Sequence, residues 1–137
     1  MGLQIEFVFA SNEAEVEPAL SGLGARSQAL IIQPDVAFQL KNREEFATFA
    51  IREKLPAIAA VEEFAKGGGL MSYGSSFIEA HRLAGTYVGR ILKGEKPEDL
   101  PVQRATKFDF VINLKTAKTI GLDIPPTLLA RANEVIE

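Results

Sequence analysis

The sequence has no cysteine, a single histidine and no long hydrophobic run. Without cysteine the chain has no thiol nucleophile, no thiolate metal site and no disulfide. The pattern around His81 predicts a place on the polar side of a helix, and no Ser-His-Asp arrangement is evident. No apolar run approaches the ~20 residues that cross a bilayer. These absences argue against nucleophilic catalysis, and we expect no metal and no cofactor.

The charge and composition are those of an ordinary globular chain. The 137 residues are 47% hydrophobic and 24% charged, with a net charge of −3. A chain of this length is expected to form one compact domain. The weak negative charge disfavours binding to nucleic acid. Residues 1–6 lack the basic and apolar regions of a signal peptide.

Five apolar segments have the length and pattern of β-strands. In the first, Leu3, Ile5, Phe7 and Phe9 alternate with other residues, which predicts a strand with one apolar face. The others are short continuous runs, typical of parallel strands covered on both faces. They are residues 29–32, 57–61, 70–73 and 108–112.

Helical patterns separate these strands. Ser76 and Glu79 have the spacing of a capping box at the start of a strongly amphipathic helix that Gly94 can close. Asn113 is placed to cap the helix that ends at Gly121, and Pro126 can open a last helix running to Ile136. Alternation of strands and helices predicts an α/β fold with a mostly parallel open sheet and helices on both faces.

Polar residues follow four of the predicted strands, where open parallel sheets bind ligands. Tyr73 can stack on a ligand, or it can pack against the following helix. Asp35, after Pro34, can hold a ligand amine or cap the next helix. Glu62 can bind the same amine, or it can be a solvated carboxylate of a first helical turn.

Two stretches, Gly68–Gly74 and Thr106–Pro126, carry a resemblance to a known family. They resemble the C-terminal part of the substrate-binding proteins of an uncharacterised class of ABC transporters, some of which bind aromatic amino acids. The resemblance implies one lobe of a type I periplasmic binding protein. Residues 1–74 would be the lobe core, and residues 75–137 would be a hinge-crossing helix, a strand and C-terminal helices.

The resemblance also implies a function. It is non-covalent binding of a small solute, such as an amino acid, for an ABC-type importer with a permease partner. By this analogy the protein is periplasmic, although the chain as given shows no signal peptide. The positions expected to face the ligand cleft are Pro34, Asp35, Glu62, Ser72 and Tyr73. A lone lobe exposes apolar surface, so we expect a homodimer that uses the helix of residues 76–93.

Three other interpretations remain open. Asp35 could be the phosphoacceptor of a flavodoxin-like receiver module, but Ser11 and Asn12 stand where a receiver needs an acidic pair. The chain could be a free-standing lobe with a protein partner. It could also be a small enzyme on a doubly wound sheet, against which the lack of a nucleophile-base pair counts.

Overall fold

The computed structural model describes residues 2–33 and 36–137, without the side chains of residues 36, 37 and 39. Strands and helices alternate through most of this part of the chain. The strands are β1 (Leu30–Ile32), β2 (Ala57–Ala59), β3 (Met71–Ser75), β4 (Phe108–Asn113) and β5 (Glu134–Ile136). The helices are α1 (Val16–Leu20), α2 (Leu23–Arg26), α3 (Val36–Arg52), α4 (Glu62–Lys66), α5 (Phe77–Leu92), α6 (Leu114–Ile120) and α7 (Pro126–Leu129).

The five strands form one sheet in the order β1-β2-β3-β4-β5. Strands β1, β2 and β3 are parallel, β4 runs antiparallel to β3, and β5 runs parallel to β4. The predicted α/β fold with a mostly parallel open sheet is therefore confirmed. The short apolar strands are stabilised by burial between helices, since Ala57 and Ala59 are almost fully buried.

The core consists of two clusters of buried side chains. The larger one joins α1, α2 and α3 to β1, β2 and α4, and its most deeply buried members include Val16 and Phe64. The smaller one joins Leu70 to Ala117 and Ile120 of α6. Neither cluster includes a residue of α5, none of whose residues is buried within the described part of the chain.

The prediction of a strand at Leu3–Phe9 is wrong. This segment is extended but unpaired, and its Leu3, Phe7 and Phe9 side chains are exposed. The rings of Phe7 and Phe9 lie on the same side, with centroids 6.4 Å apart. Apolar alternation supplies a strand-like conformation, but a strand also needs a hydrogen-bonded neighbour, and none of the described strands lies beside it.

The predicted last helix is also wrong beyond its first turn. It opens at Pro126 as expected but ends at Leu129, and the chain then forms β5 beside β4. Asn133 directs this change because its backbone N–H donates to the Phe110 carbonyl (2.8 Å) while its Oδ1 accepts from the Phe110 N–H (2.8 Å). The β-branched pair Val135 and Ile136 suits the strand.

The two predicted caps have different outcomes. Asn113 caps α6 as predicted, with its Oδ1 accepting from the Thr116 N–H at 3.1 Å, and Gly121 ends the helix at a φ of 76°. The Ser76 capping box is wrong, because the Ser76 side chain makes no cap hydrogen bond. The Glu79 carboxylate accepts from Arg82 instead, at 2.6 and 3.0 Å. Among the described residues, no helix is long and apolar enough to cross a membrane.

Candidate functional site

A cleft lies where β2 and β3 end, at the carboxyl edge of the parallel strands. It encloses about 20 Å³, which is room for about one water molecule. Ligand pockets typically measure roughly 300–1,000 Å³, so this cleft is at most one wall of a site. Its lining includes Ala60, Glu62, Glu63, Gly74, Phe77 and Asp109.

Close contact between the ends of β2 and β3 forms the floor of the cleft. A Cβ placed on Gly74 would lie 2.0 Å from the carbonyl oxygen of Ala60, so no side chain fits there. Gly74 is also paired in register with Asp109 of the antiparallel strand β4. The glycine therefore lets the two loops close while β4 brings a carboxylate to the same edge.

The cleft is acidic. Glu62 and Glu63 stand in the first turn of α4, and Asp109 faces them from β4. One Glu62 oxygen is engaged by the Lys66 ammonium at 3.0 Å, and that ammonium also reaches Glu134 at 3.4 Å. The hydrogen bond to Glu62 raises the pKa of Lys66 above its ordinary value, with further contributions from Glu134. The surplus of carboxylates suits a ligand that carries an ammonium group.

An exposed group of three aromatic side chains lies on β3 and β4 outside the cleft lining, on the face opposite Asp109. The Tyr73 ring stacks on Phe108, with centroids 5.6 Å apart and planes 12° apart, and meets the edge of Phe110 at 5.9 Å and 85°. Tyr73 remains 54% exposed. The alternative that Tyr73 packs against the following helix is not what the structure has, because its partners are on β4. Its phenol and one ring face are available at the surface.

The structure separates the predicted site residues. Glu62 lines the cleft, whereas Tyr73 is outside the lining, on the face of β3 opposite Asp109. Ser72 is 1% exposed between Ala59 and Val111, and its buried Oγ has no hydrogen-bond partner among the described residues. Pro34 and Asp35 lie outside the described residues. Ligand contact by any of these five positions stays a prediction.

Sequence reasoning missed two parts of the cleft, Asp109 and Phe77. The alternation Phe108-Asp109-Phe110 within a predicted strand is a signal that the carboxylate and the rings face opposite ways. The pattern does not reveal that this strand runs antiparallel beside β3, which is what brings Asp109 to Gly74. Phe77 was not singled out, because it only follows the predicted helix cap Ser76 in the sequence.

The described residues offer no clear metal site. They contain no group of three or more His, Asp or Glu side chains placed to hold an ion. A wider depression of about 480 Å³ lies beside the end of α6, lined by Ala117, Leu122 and Ile124 among others. The backbone N–H of Asn113, the last residue of β4, donates to the carbonyl of Leu70, just before β3 begins. Helix α6 follows β4, so it starts at the edge of the sheet where β3 begins. This depression is therefore separate from the carboxyl-edge cleft.

Solved structures share this fold. One is a conserved domain protein from Vibrio cholerae, with a TM-score of 0.81 and 29% identity over 89% of this chain. A second is an ABC domain from Streptococcus pneumonia in complex with L-Trp, with a TM-score of 0.80 and 24% identity over 90% of this chain. A third, the ligand-free, open structure of CD0873, a Clostridium difficile substrate-binding protein with adhesive properties, has a TM-score of 0.64 and 24% identity over 90% of this chain.

This chain spans only 41% of the length of each of these three proteins. A comparison with curated protein sequences finds no significant match. The family model described as ABC transporter substrate binding protein matches residues 1–136, almost the whole chain. The chain therefore belongs to the ABC transporter substrate-binding protein family.

Proposed function

We propose that this chain is one lobe of the substrate-binding component of an ABC-type importer, and that it binds an amino acid without transforming it. The observation that carries the proposal is an acidic cleft, with Phe77 in its lining, at the carboxyl edge of the sheet, in a chain that matches the family from residue 1 to 136. The lobe core is residues 1–74, and residues 75–137 form the crossing elements. The protein works outside the cytoplasm with a permease and as a homodimer.

The chemistry of the cleft supports an amino acid as the ligand. Carboxylates of Glu62, Glu63 and Asp109 attract the ammonium group, and the half-exposed ring of Phe77 in the lining offers a flat apolar surface to a side chain. One relative in the fold comparison was solved with L-Trp, which makes an aromatic amino acid the first ligand to test. Asp35, three residues after β1 in the sequence, is proposed as a further carboxylate of the site.

The size of the cleft sets the expected affinity. The cleft encloses only about 20 Å³, much less than an amino acid occupies, so most of the site would come from a second lobe that closes over it. The isolated chain should therefore bind with a dissociation constant near the millimolar range, about −4 kcal/mol.

The test is a titration of the isotope-labelled chain with L-Trp, other L-amino acids and small carboxylates, followed by NMR. We expect fast-exchange shifts at Gly74, Asp109 and the first turn of α4 with an amino acid, and none there with the matched acid that lacks the amine. No shift at these residues with any compound of the panel would overturn the proposal.

Two variants identify the groups responsible. Glu62→Gln and Asp109→Asn each remove a carboxylate from the cleft and should weaken amino-acid binding by several fold, or about 1 kcal/mol. Glu98→Gln is the matched control, because Glu98 is 75% exposed and pairs with Lys96 at 3.6 Å, outside the cleft lining. Equal affinity in all three variants would remove these carboxylates from the site.

A further inference from the structure

Lys66 stands between two carboxylates, one in the lining of the cleft and one outside it. Its Nζ lies 3.0 Å from Oε2 of Glu62, which lines the cleft, and 3.4 Å from Oε2 of Glu134, which does not. We propose that Lys66 is a placeholder for the ammonium group of the ligand: it pairs with Glu62 while the cleft is empty and moves onto Glu134 when that group arrives. This inference rests on the proposed function, because it concerns how the same cleft receives an amine.

Local sequence and sheet pairing together place the lysine between its two partners. Glu62 and Lys66 are four residues apart on α4, with the glutamate nearer the start of the helix, which is the favourable order for an ion pair across one helical turn. Glu134 begins β5, whose pairing with β4 brings it opposite Val111. Lys66 therefore reaches one carboxylate on its own helix and a second from a part of the chain that is distant in sequence.

Glu62 differs from the other carboxylates of the cleft in having a cation beside it. Among the described residues, the carboxylates of Glu63 and Asp109 form no ion pair. Carboxylates that share a site repel one another, and Lys66 offsets this repulsion by neutralising one of them. A bound amine supplies the same positive charge. With the amine in place the lysine is no longer needed at Glu62, and the new cation repels it.

The exchange of partners needs little movement and little energy. Both carboxylates already lie within ion-pair distance of Nζ, and the four-carbon stem of lysine is flexible. The side chains are 42% exposed for Lys66, 28% for Glu62 and 48% for Glu134, and ion pairs this open to water each contribute little. The lysine stays a cation throughout, because Glu62 and then Glu134 raise its pKa above the ordinary value of 10.5.

A fixed clamp is the alternative role for Lys66. A clamp would hold the Glu62 carboxylate in its binding orientation, and Glu134 would have no influence on the ligand. The second carboxylate favours the placeholder, because a clamp needs no other partner within reach. The two roles also predict opposite signs. Removing a clamp weakens the binding of an amine, whereas removing a placeholder strengthens it, since nothing then competes for Glu62.

The affinity of the chain for L-Trp, followed by NMR at constant ionic strength, measures this sign. Lys66→Met should tighten binding about two- to fivefold, because it frees Glu62. Glu134→Gln should weaken binding by a similar factor, because the lysine then has only Glu62 as a partner. In the double variant the Glu134→Gln change should have no effect, since Glu134 acts on the ligand only through the lysine.

The exposed pair of Lys96 and Glu98 supplies the matched controls. Lys96→Met and Glu98→Gln make the same changes of charge outside the cleft lining, and both variants should bind L-Trp as the parent chain does. Weaker binding in Lys66→Met, or an unchanged affinity in Glu134→Gln, would overturn the placeholder.

The NMR signal of the lysine itself gives a test that needs no amino acid. The Nζ resonance of Lys66 should move in both Glu62→Gln and Glu134→Gln, because both carboxylates are its partners. Methylammonium chloride, compared with sodium chloride at the same ionic strength, should move this resonance toward its position in Glu62→Gln. An unmoved resonance in Glu134→Gln, or no response to methylammonium, would also overturn the proposal.

The two proposals fail separately. If L-Trp binds with the parent affinity in both Lys66→Met and Glu134→Gln, the placeholder falls and the proposed function stands. If the chain binds no amino acid while methylammonium moves the Lys66 resonance as described, the exchange of the lysine between its two carboxylates stands and the proposed function falls.

Discussion

The backbone of Ala60 occupies the space that a side chain on Gly74 would need. A Cβ on Gly74 would approach the Ala60 carbonyl oxygen to 2.0 Å, far inside any contact that real Cβ atoms make. The obstacle is a backbone atom at the end of β2, so it cannot turn away as a side chain would. This contact joins two loops of the cleft, three residues before α5 begins.

We expect Gly74→Ala to destabilise the fold severely. The alanine must push β2 and β3 apart, and overpacking against a rigid neighbour costs about 1–3 kcal/mol or more. Chemical denaturation measures the loss. The matched control is Gly89→Ala on α5, where an added Cβ meets nothing within 4 Å, and it should stabilise by up to about 1 kcal/mol through helix propensity. Equal effects of the two variants would contradict the contact.

The stack of Tyr73 on Phe108 should contribute to stability apart from any ligand. Tyr73→Phe keeps both ring contacts and should leave the unfolding free energy almost unchanged. Tyr73→Ala removes the stack on Phe108 and the edge contact with Phe110, and should cost about 1–2 kcal/mol. Denaturant unfolding of both variants checks this, and a large loss in Tyr73→Phe would point to an unrecognised role of the hydroxyl.

Two threonines of α6 make similar hydrogen bonds in different surroundings. Thr116 Oγ1 donates to the Gly68 carbonyl at 2.8 Å across the fold, and Thr119 Oγ1 donates to the Lys115 carbonyl at 2.8 Å on the helix surface. Thr116→Val leaves the Gly68 carbonyl without this donor and should cost about 1–2 kcal/mol. Thr119→Val, where water can replace the hydroxyl, should change stability by less than about 0.5 kcal/mol.

Much of the fold follows from local sequence signals. Apolar runs at residues 57–61 and 70–73 predicted β2 and β3, and Asn113 and Gly121 predicted the two ends of α6. These signals work because each segment is buried or capped by residues near it in sequence. Residues 3–9 and 130–136 were predicted wrongly because a segment becomes a strand only beside another strand. None of the described strands pairs with residues 3–9, whereas β4 pairs with residues 134–136.

The candidate site was less predictable than the fold. Glu62 was found from its position after a strand, a rule that needs only the order of elements. Asp109 and the Tyr73–Phe108 stack depend on the register of an antiparallel pair separated by a helix and a long connector. The burial of Ser72 depends on which face of β3 is covered. No local pattern in a single sequence carries that information.

The salt bridges of the α5 arm, defined as residues 76–107, should make its stability depend on acidic pH. Hydrogen bonds from Arg82 lower the pKa of Glu79, and hydrogen bonds from Arg90 lower the pKa of Glu95. A carboxyl whose pKa is lower in the folded chain than in the unfolded chain stabilises the fold at pH values above its ordinary pKa of about 4.5. It loses that contribution as the pH falls through its pKa in the folded chain. Both glutamates are exposed, so the effect is small and is screened by salt.

Hydrogen exchange of α5, corrected for the intrinsic effect of pH, measures this loss. Protection should fall as the pH drops below about 4.5 in low salt, and the change should shrink in high salt. A Glu79→Gln, Glu95→Gln double variant has no carboxyl to titrate at either bridge, so its protection should vary less with pH. Glu98→Gln keeps both bridges and should behave as the parent chain does. If the double variant kept the full pH dependence, protonation of carboxyls elsewhere would be what loosens α5.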